Sequence, residues 1–290
     1  MVESHPDSAP PAAATQVVAR VVENVPIAER TFRLRIEAPA IAGAIRPGQF
    51  VMVRPAQGLD PLLGRPFALY EVGAGSGGAT DLVDLVYLVT GRGTGALSER
   101  SPGDTLSAWG PLGHSFGPPP PRGDALFVAG GIGQTPFLSL GRWWLGMASY
   151  GGRAFDRPAR SARMIYGVRT ASLAAGLADF AAAGIPVDLA TEDGSAGHHG
   201  RVTDPLRDRL ESGDPPAKVV ACGPHPMLAA VAKICEAAGV PCDVSLENHM
   251  ACGFGACFSC VAPIRQADGS IDLRRVCVEG PVFRAGDVAW

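Results

Sequence analysis

Four of the chain's seven cysteines fall within its last 39 residues, and no other feature narrows the possible folds so far. Cys252, Cys257 and Cys260 lie in the segment ACGFGACFSC, and Cys277 follows in RRVCVEG. The spacing is C-x4-C-x2-C, a gap of sixteen residues, and then a single cysteine. Gly253, Gly255, Ala256 and Ser259 place small residues between the ligands, which lets the loop wrap closely and point backbone N–H groups at the sulfurs. Plant-type 2Fe-2S clusters use this ligand spacing, four thiolates converging on two irons. A four-cysteine zinc site is the alternative, but structural zinc usually draws on two short C-x(2–4)-C pairs. The odd cysteine count, with no export signal, argues against a disulfide framework.

The chain's 290 residues suit two domains with an appendage better than one core. Residues 1–15, MVESHPDSAPPAAAT, have no basic segment or continuous apolar core and read as a disordered tail. From residue 16 to about 118 the pattern is period-two. QVVARVVENV, TFRLRIEA, GQFVMVRP, RPFALYEV and DLVDLVYLVT alternate apolar and polar residues between Gly, Pro and Asp breaks, which predicts an antiparallel β-barrel. Pro118 to Pro121 can enter neither a helix nor a central strand and reads as a link.

Across residues 122–241 the rhythm changes to strand and helix. ALFVA, RMIYGV, VDLAT, KVVACG and, just beyond, DVSL are short apolar strands. Thr135-Pro136, Ser172, Asp204-Pro205 and Pro224 to Pro226 are candidate helix starts, so a parallel sheet covered on both faces is expected. In FVAGGIGQTPF, Gly130, Gly131 and Gly133 allow a nucleotide backbone to approach, and Thr135 opens a helix that would face a diphosphate. Residues 242–290 show little periodicity and form the expected cluster module, whereas Cys235 and Cys242 read as core residues.

SLENHMACGFGACFSC followed by CVEGPVF resembles the C-terminal module of the electron transfer subunit of dihydroorotate dehydrogenase, within the ferredoxin reductase superfamily. Ferredoxins that share the three-cysteine start place the fourth ligand much further on, so the short gap favours the subunit. Arg65-Pro66-Phe67-Ala68 resembles the R-P-x-S flavin motif of that superfamily, with Ala68 where Ser or Thr is usual. The resemblance implies that Arg65 pairs with the FAD diphosphate and that Pro66, Phe67 and Ala68 line the isoalloxazine. It also makes Tyr87, Leu88, Gly93 and Thr94, in VYLVTGRGTGALSE, candidates for FAD contact. Cys222, Gly223 and Pro224, in ACGPHPM, match the segment that holds the nicotinamide ring, and Glu247 is a candidate for the same junction. Trp290, the adjacent Trp143 and Trp144, and the loop TEDGSAGHHG with His198 and His199 read as packing or turn residues.

The function this resemblance implies is electron transfer from NADH through FAD and the 2Fe-2S cluster to a separate FMN-bearing catalytic subunit, in a heterotetramer of two plus two. A hydrogenase or ferredoxin-NADP transhydrogenase subunit is the related alternative, and a zinc-stabilised nucleotide-binding regulator the remote one. NAD is preferred to NADP, although Arg169 and Thr170 follow the second strand, where a 2′-phosphate would be read. A net charge of −3 gives no footprint for nucleic acid, and no apolar run reaches the ~18 residues of a membrane span. A cytoplasmic protein without nucleic-acid or membrane partners is therefore expected.

Overall fold

The computed structural model describes residues 13–55, 60–75 and 78–290. Most of the N-terminal tail expected to be disordered, residues 1–12, lies outside the described residues. The first body is a closed antiparallel barrel of β1 (Thr15–Ala28), β2 (Thr31–Glu37), β3 (Phe50–Arg54), β4 (Arg65–Ala74), β5 (Thr80–Leu88) and β6 (Thr105–Leu112). Its strand order is β1-β2-β5-β4-β3-β6, and closure leaves no exposed edge. Alternating side chains such as Leu34, Ile36, Val83 and Leu85 fill the interior. The five period-two segments are all barrel strands. The sixth, β6, carries Gly110-Pro111 inside it and was not isolated by that pattern. Two short helices, α1 (Pro39–Ala42) and α2 (Arg92–Ser98), follow β2 and β5.

The second body contains β7 (Asp124–Gly130), α3 (Phe137–Trp144), β8 (Ser161–Val168), α4 (Leu177–Ala182), β9 (Val187–Thr191), β10 (His198–His199), α5 (Thr203–Glu211), β11 (Lys218–Cys222), α6 (His225–Ala237) and β12 (Cys242–Ser245). These strands pair in parallel in the order β10-β9-β8-β7-β11-β12. Strand β7 shows why the segment is apolar throughout. Its Ala125, Phe127 and Ala129 face one core and its Leu126 and Val128 the other. Trp143 and Trp144 are buried on α3, their indole N–H groups donating to the carbonyls of Arg153 and Gly117. Ser172 does not begin an α-helix. It sits in a 3-10 turn, and α4 starts only after Gly176, whose φ of 76° breaks the run.

The last segment contains β13 (Val261–Arg265), β14 (Ile271–Arg275), α7 (Val276–Glu279) and β15 (Val282–Arg284). Two expectations need correction here. The segment is not poor in regular structure, because β13 and β14 form an antiparallel hairpin that Pro263 disguises in the sequence. The boundary drawn at residue 242 also cuts through the sheet. Cys242 pairs with Val219 on β11, and β15 returns from the module to add an antiparallel edge beside β12.

Candidate functional site

In the parallel sheet the chain runs outward from β7 to β8 and β9, then crosses back to β11 on the other side. Crevices at such a reversal, outside the C-terminal ends of the strands, are where open α/β sheets take ligands. The two glycine turns meet there. A β-carbon on Gly133 would lie 2.3 Å from the Cys222 carbonyl oxygen, and one on Gly223 would lie 3.0 Å from the Gly130 amide nitrogen. Glycine at these positions is what allows the two loops to touch. Gly131, at φ 56°, has nothing within 4 Å of its missing β-carbon and faces open space.

A cleft of about 710 Å³ runs from this point between the two bodies, and Leu88, Ile132, Pro224, Met227 and Glu247 are among its walls. Its size fits a dinucleotide. The Cys222 thiol contacts the Glu247 carboxylate at 3.7 Å. Burial, then the neighbouring Glu247 charge, raises the Cys222 thiol well above its ordinary value. Glu247 is exposed to the cleft but ringed by protein, and that enclosure pushes its carboxyl up.

At the far end Arg169, Glu192, Arg201, Thr203 and Arg207 line the same cleft. The loop TEDGSAGHHG read as a plain turn therefore contributes Glu192 and leads into cleft-lining residues. Its His198 and His199 form the short edge strand β10, with His198 Nε2 3.6 Å from Asp204. Arg201 and Arg207 were missed, because nothing local marks them as facing the same space as Arg169. Thr135 is buried beneath the glycine turn, and the neighbouring Gln134 is buried with it.

Arg65 begins β4, and its guanidinium lies against α2. A β-carbon on Gly93 would come within 2.9 Å of its Cζ and Nε atoms. Nη1 donates to the Leu63 and Gly64 carbonyls at 2.8 and 3.2 Å, which aims the fork. A forked cation beside a glycine-lined helix start fits a diphosphate. Pro66 and Ala68 are half-buried on the outward face of β4, while Phe67 turns into the barrel. Two further candidates have side chains engaged within the barrel domain itself. Tyr87 is buried, stacked on Phe32, and donates its hydroxyl to Asn24, so its side chain serves the barrel core. The Thr94 hydroxyl is used within the turn, accepting from the Thr90 and Gly91 amides. Leu88 does line the cleft.

The cysteine loop lies on the barrel beside this strand. Trp109 of β6 donates its indole N–H to the Cys252 carbonyl at 2.9 Å, and a β-carbon on Gly64 would meet the same indole at 2.5 Å. Gly253 packs against Met52 and Leu112 of the barrel wall so closely that a side chain there would clash. Ser259 ties the loop ends, accepting from the Ala251 amide and donating to the His249 carbonyl. The hairpin explains the sixteen-residue gap. Val261 pairs with Arg275, and the Val276 amide donates to the Cys260 carbonyl, so Cys277 returns beside Cys260.

The thiols associate in two pairs, Cys252 with Cys257 and Cys260 with Cys277. Among the described residues no three His, Cys, Asp or Glu side chains converge as a single metal ion requires. Two dithiol pairs fit two bridged irons. The Ser259 hydroxyl lowers exposed Cys257 to about 6, whereas burial raises Cys277 to about 12. Trp290 lies away from this region, edge-on to His225 with its indole N–H bonded to the Ala285 carbonyl.

Comparisons with known proteins agree with this geometry. Residues 247–289 match the iron-sulfur cluster binding domain of dihydroorotate dehydrogenase B, and residues 127–233 match the oxidoreductase NAD-binding domain. The chain is 38% identical to the dihydroorotate dehydrogenase B (NAD(+)) electron transfer subunit of Geobacillus thermodenitrificans, over 92% of this chain and 96% of that one. It is 35% identical to the subunit of the same name from Listeria monocytogenes, over 94% and 98%. Among solved structures, the NADH-dependent reduced ferredoxin-NADP oxidoreductase, described for flavin-based electron bifurcation, superposes with a TM-score of 0.78 at 27% identity, covering 94% of this chain and 90% of that one. A ferredoxin reductase of carbazole 1,9a-dioxygenase shares the fold, at a TM-score of 0.63 and 21% identity, covering 80% and 68%.

Proposed function

Because the chain belongs to the family of dihydroorotate dehydrogenase B electron transfer subunits, we propose that it passes electrons between NAD(H) and a separate catalytic subunit in pyrimidine synthesis. FAD, when bound, supplies the exchange between a two-electron nicotinamide and a one-electron iron-sulfur carrier. The chain's residues do the positioning. Gly130, Gly131, Gly133 and the Cys222–Pro224 turn admit the dinucleotide, Cys222 and Glu247 border the nicotinamide end, and Arg65 with Gly93 takes the FAD diphosphate. Cys252, Cys257, Cys260 and Cys277 ligate the cluster. No side chain is assigned as an acid, base or nucleophile.

One observation carries the reading. Trp109 touches both the start of the flavin strand, at Gly64, and the cysteine loop, at Cys252. A single indole therefore spans the two sites between which an electron must hop. The electron acceptor in this reading is the FMN of the catalytic subunit, in a two-plus-two heterotetramer working in the cytoplasm. Phe254 and Phe258, on the cysteine loop and each 60% exposed, support docking of a partner over the cluster. Among the described residues no helix is long and apolar enough to cross a membrane.

Anaerobic purification with flavin, iron and sulfide analysis tests the proposal. One FAD with two irons and two sulfides per chain is expected, together with NADH bleaching of the visible spectrum and onward transfer only when the FMN-bearing partner is added. Colourless protein containing zinc and no iron would refute it. The likeness to the reduced ferredoxin-NADP oxidoreductase favours one second reading, a different electron acceptor. Co-purification with a large multi-cluster subunit, in place of an FMN barrel, would select it.

A further inference from the structure

Arg275 and Glu279 flank Cys277 two residues away on either side; the hairpin brings Arg275 to the cysteine loop, and α7 carries Glu279 back beside Arg275. The Arg275 guanidinium is used on three sides. Nη1 donates to the Gly255 carbonyl at 3.3 Å, between Cys252 and Cys257 in sequence. Nε and Nη2 donate to the Glu279 carboxylate, with Nε to Oε1 at 3.1 Å. The Phe258 ring covers the guanidinium at 5.1 Å. The Glu279 carboxylate also accepts the Arg275 backbone N–H at 2.7 Å, so its own position is fixed at the start of α7. A cation and its counter-ion are thus held in one orientation, with the cation's Nη1 on the loop that carries the ligands.

We propose that Arg275 and Glu279 form an opposed charge pair that sets the reduction potential of the cluster. This rests on the proposed 2Fe-2S site. Reduction adds negative charge among four thiolates. A fixed cation beside them stabilises the reduced form and raises the potential, and a fixed anion lowers it. Arg275 and Glu279 are positioning residues in this role, since neither ligates iron. Both side chains retain about a quarter of their exposure, 29% and 26%, so solvent screens the effect and it is modest.

Redox titration of the holoprotein, followed by EPR of the reduced cluster, reads the potential directly. Arg275→Gln is expected to lower the one-electron reduction equilibrium constant about threefold, which at 59 mV per decade is about 30 mV. Glu279→Gln is expected to raise it by a similar factor. The double variant and Arg275→Lys should both return close to the wild-type value, and the single-variant shifts should shrink in high salt. A residue that only braces the loop would move the potential the same way in both single variants. Such same-signed shifts, or no shift in either variant with iron content intact, overturn the proposal. If Arg275→Gln loses its iron, Glu279→Gln decides alone, and the lack of an upward shift overturns it. Wild-type protein without iron overturns the cluster reading itself, and this inference with it.

Discussion

Gly133→Ala tests the contact on which the nucleotide site depends. Gly133 does not have a positive φ, so its backbone suits alanine and the effect is purely one of space. The added β-carbon would stand 2.3 Å from the Cys222 carbonyl oxygen, 2.5 Å from its carbonyl carbon and 2.7 Å from the Gly223 amide nitrogen. Ordinary contact needs about 3.5 Å, so the two turns must part by about 1 Å. All three opposing atoms belong to the backbone at and just after the end of β11, and no flexible side chain can yield instead. Overpacking of this kind costs about 1–3 kcal/mol, with each kcal/mol worth roughly 2–4 °C of Tm in a chain of this class. A shift of ~1 Å in the turn proposed to border the nicotinamide costs about 100-fold in kcat/KM. Thermal unfolding and NADH-dependent dye reduction measure both effects, while FAD and iron contents should stay at wild-type levels. Gly131→Ala is the comparison, since it meets no atom within 4 Å and loses only the about 1–2 kcal/mol of its left-handed backbone. Wild-type Tm and kcat/KM in Gly133→Ala would refute the reasoning.

Other outcomes follow from the same geometry. Serine at Cys252, Cys257, Cys260 or Cys277 should remove iron and its visible absorbance while FAD stays bound, because Arg65 and Gly93 lie on separate elements; flavin and iron assays on each variant decide this. Arg65→Ala removes charge-assisted hydrogen bonds worth about 1.5–3 kcal/mol, so the FAD dissociation constant should rise at least tenfold, as flavin fluorescence on dilution would report. Trp109→Phe removes both the ring edge that meets Gly64 and the donor to Cys252, and the lost hydrogen bond alone, about 0.5–1.5 kcal/mol, should speed iron release to a chelator. Glu71, which accepts from Tyr150 and pairs with Arg142, has its carboxyl raised mainly by burial. The folded state then binds a proton more tightly than the unfolded chain, so its contribution is fully present below the ordinary carboxylate range and is lost as pH rises through the raised value. Glu71→Gln should flatten that part of the Tm–pH curve, and an unchanged slope would count against it.

Local chemistry made much of this molecule readable from sequence. Alternation along residues 16–118 is enough to predict antiparallel strands, because a half-buried strand must place every second side chain inside. Short apolar runs such as ALFVA mark strands covered on both faces, and three thiols in one small-residue loop point to an iron-sulfur domain. What joins these parts is not local. Trp109 and Cys252 are 143 residues apart, and only barrel closure brings the indole under the cysteine loop. Cys277 reaches Cys260 through a hairpin that its own Pro263 hides, and Arg275 finds Gly255 by the same register. Only barrel closure brings the Tyr87 hydroxyl to Asn24, 63 residues away. Arg169, Arg201 and Arg207 sit on separate segments, and only the order of the strands makes them walls of one cleft. Residue type and spacing decide which chemistry a segment can support. Which segments come to share a site is decided by chain crossings and packing, because contacts between distant residues leave no periodic trace in the sequence.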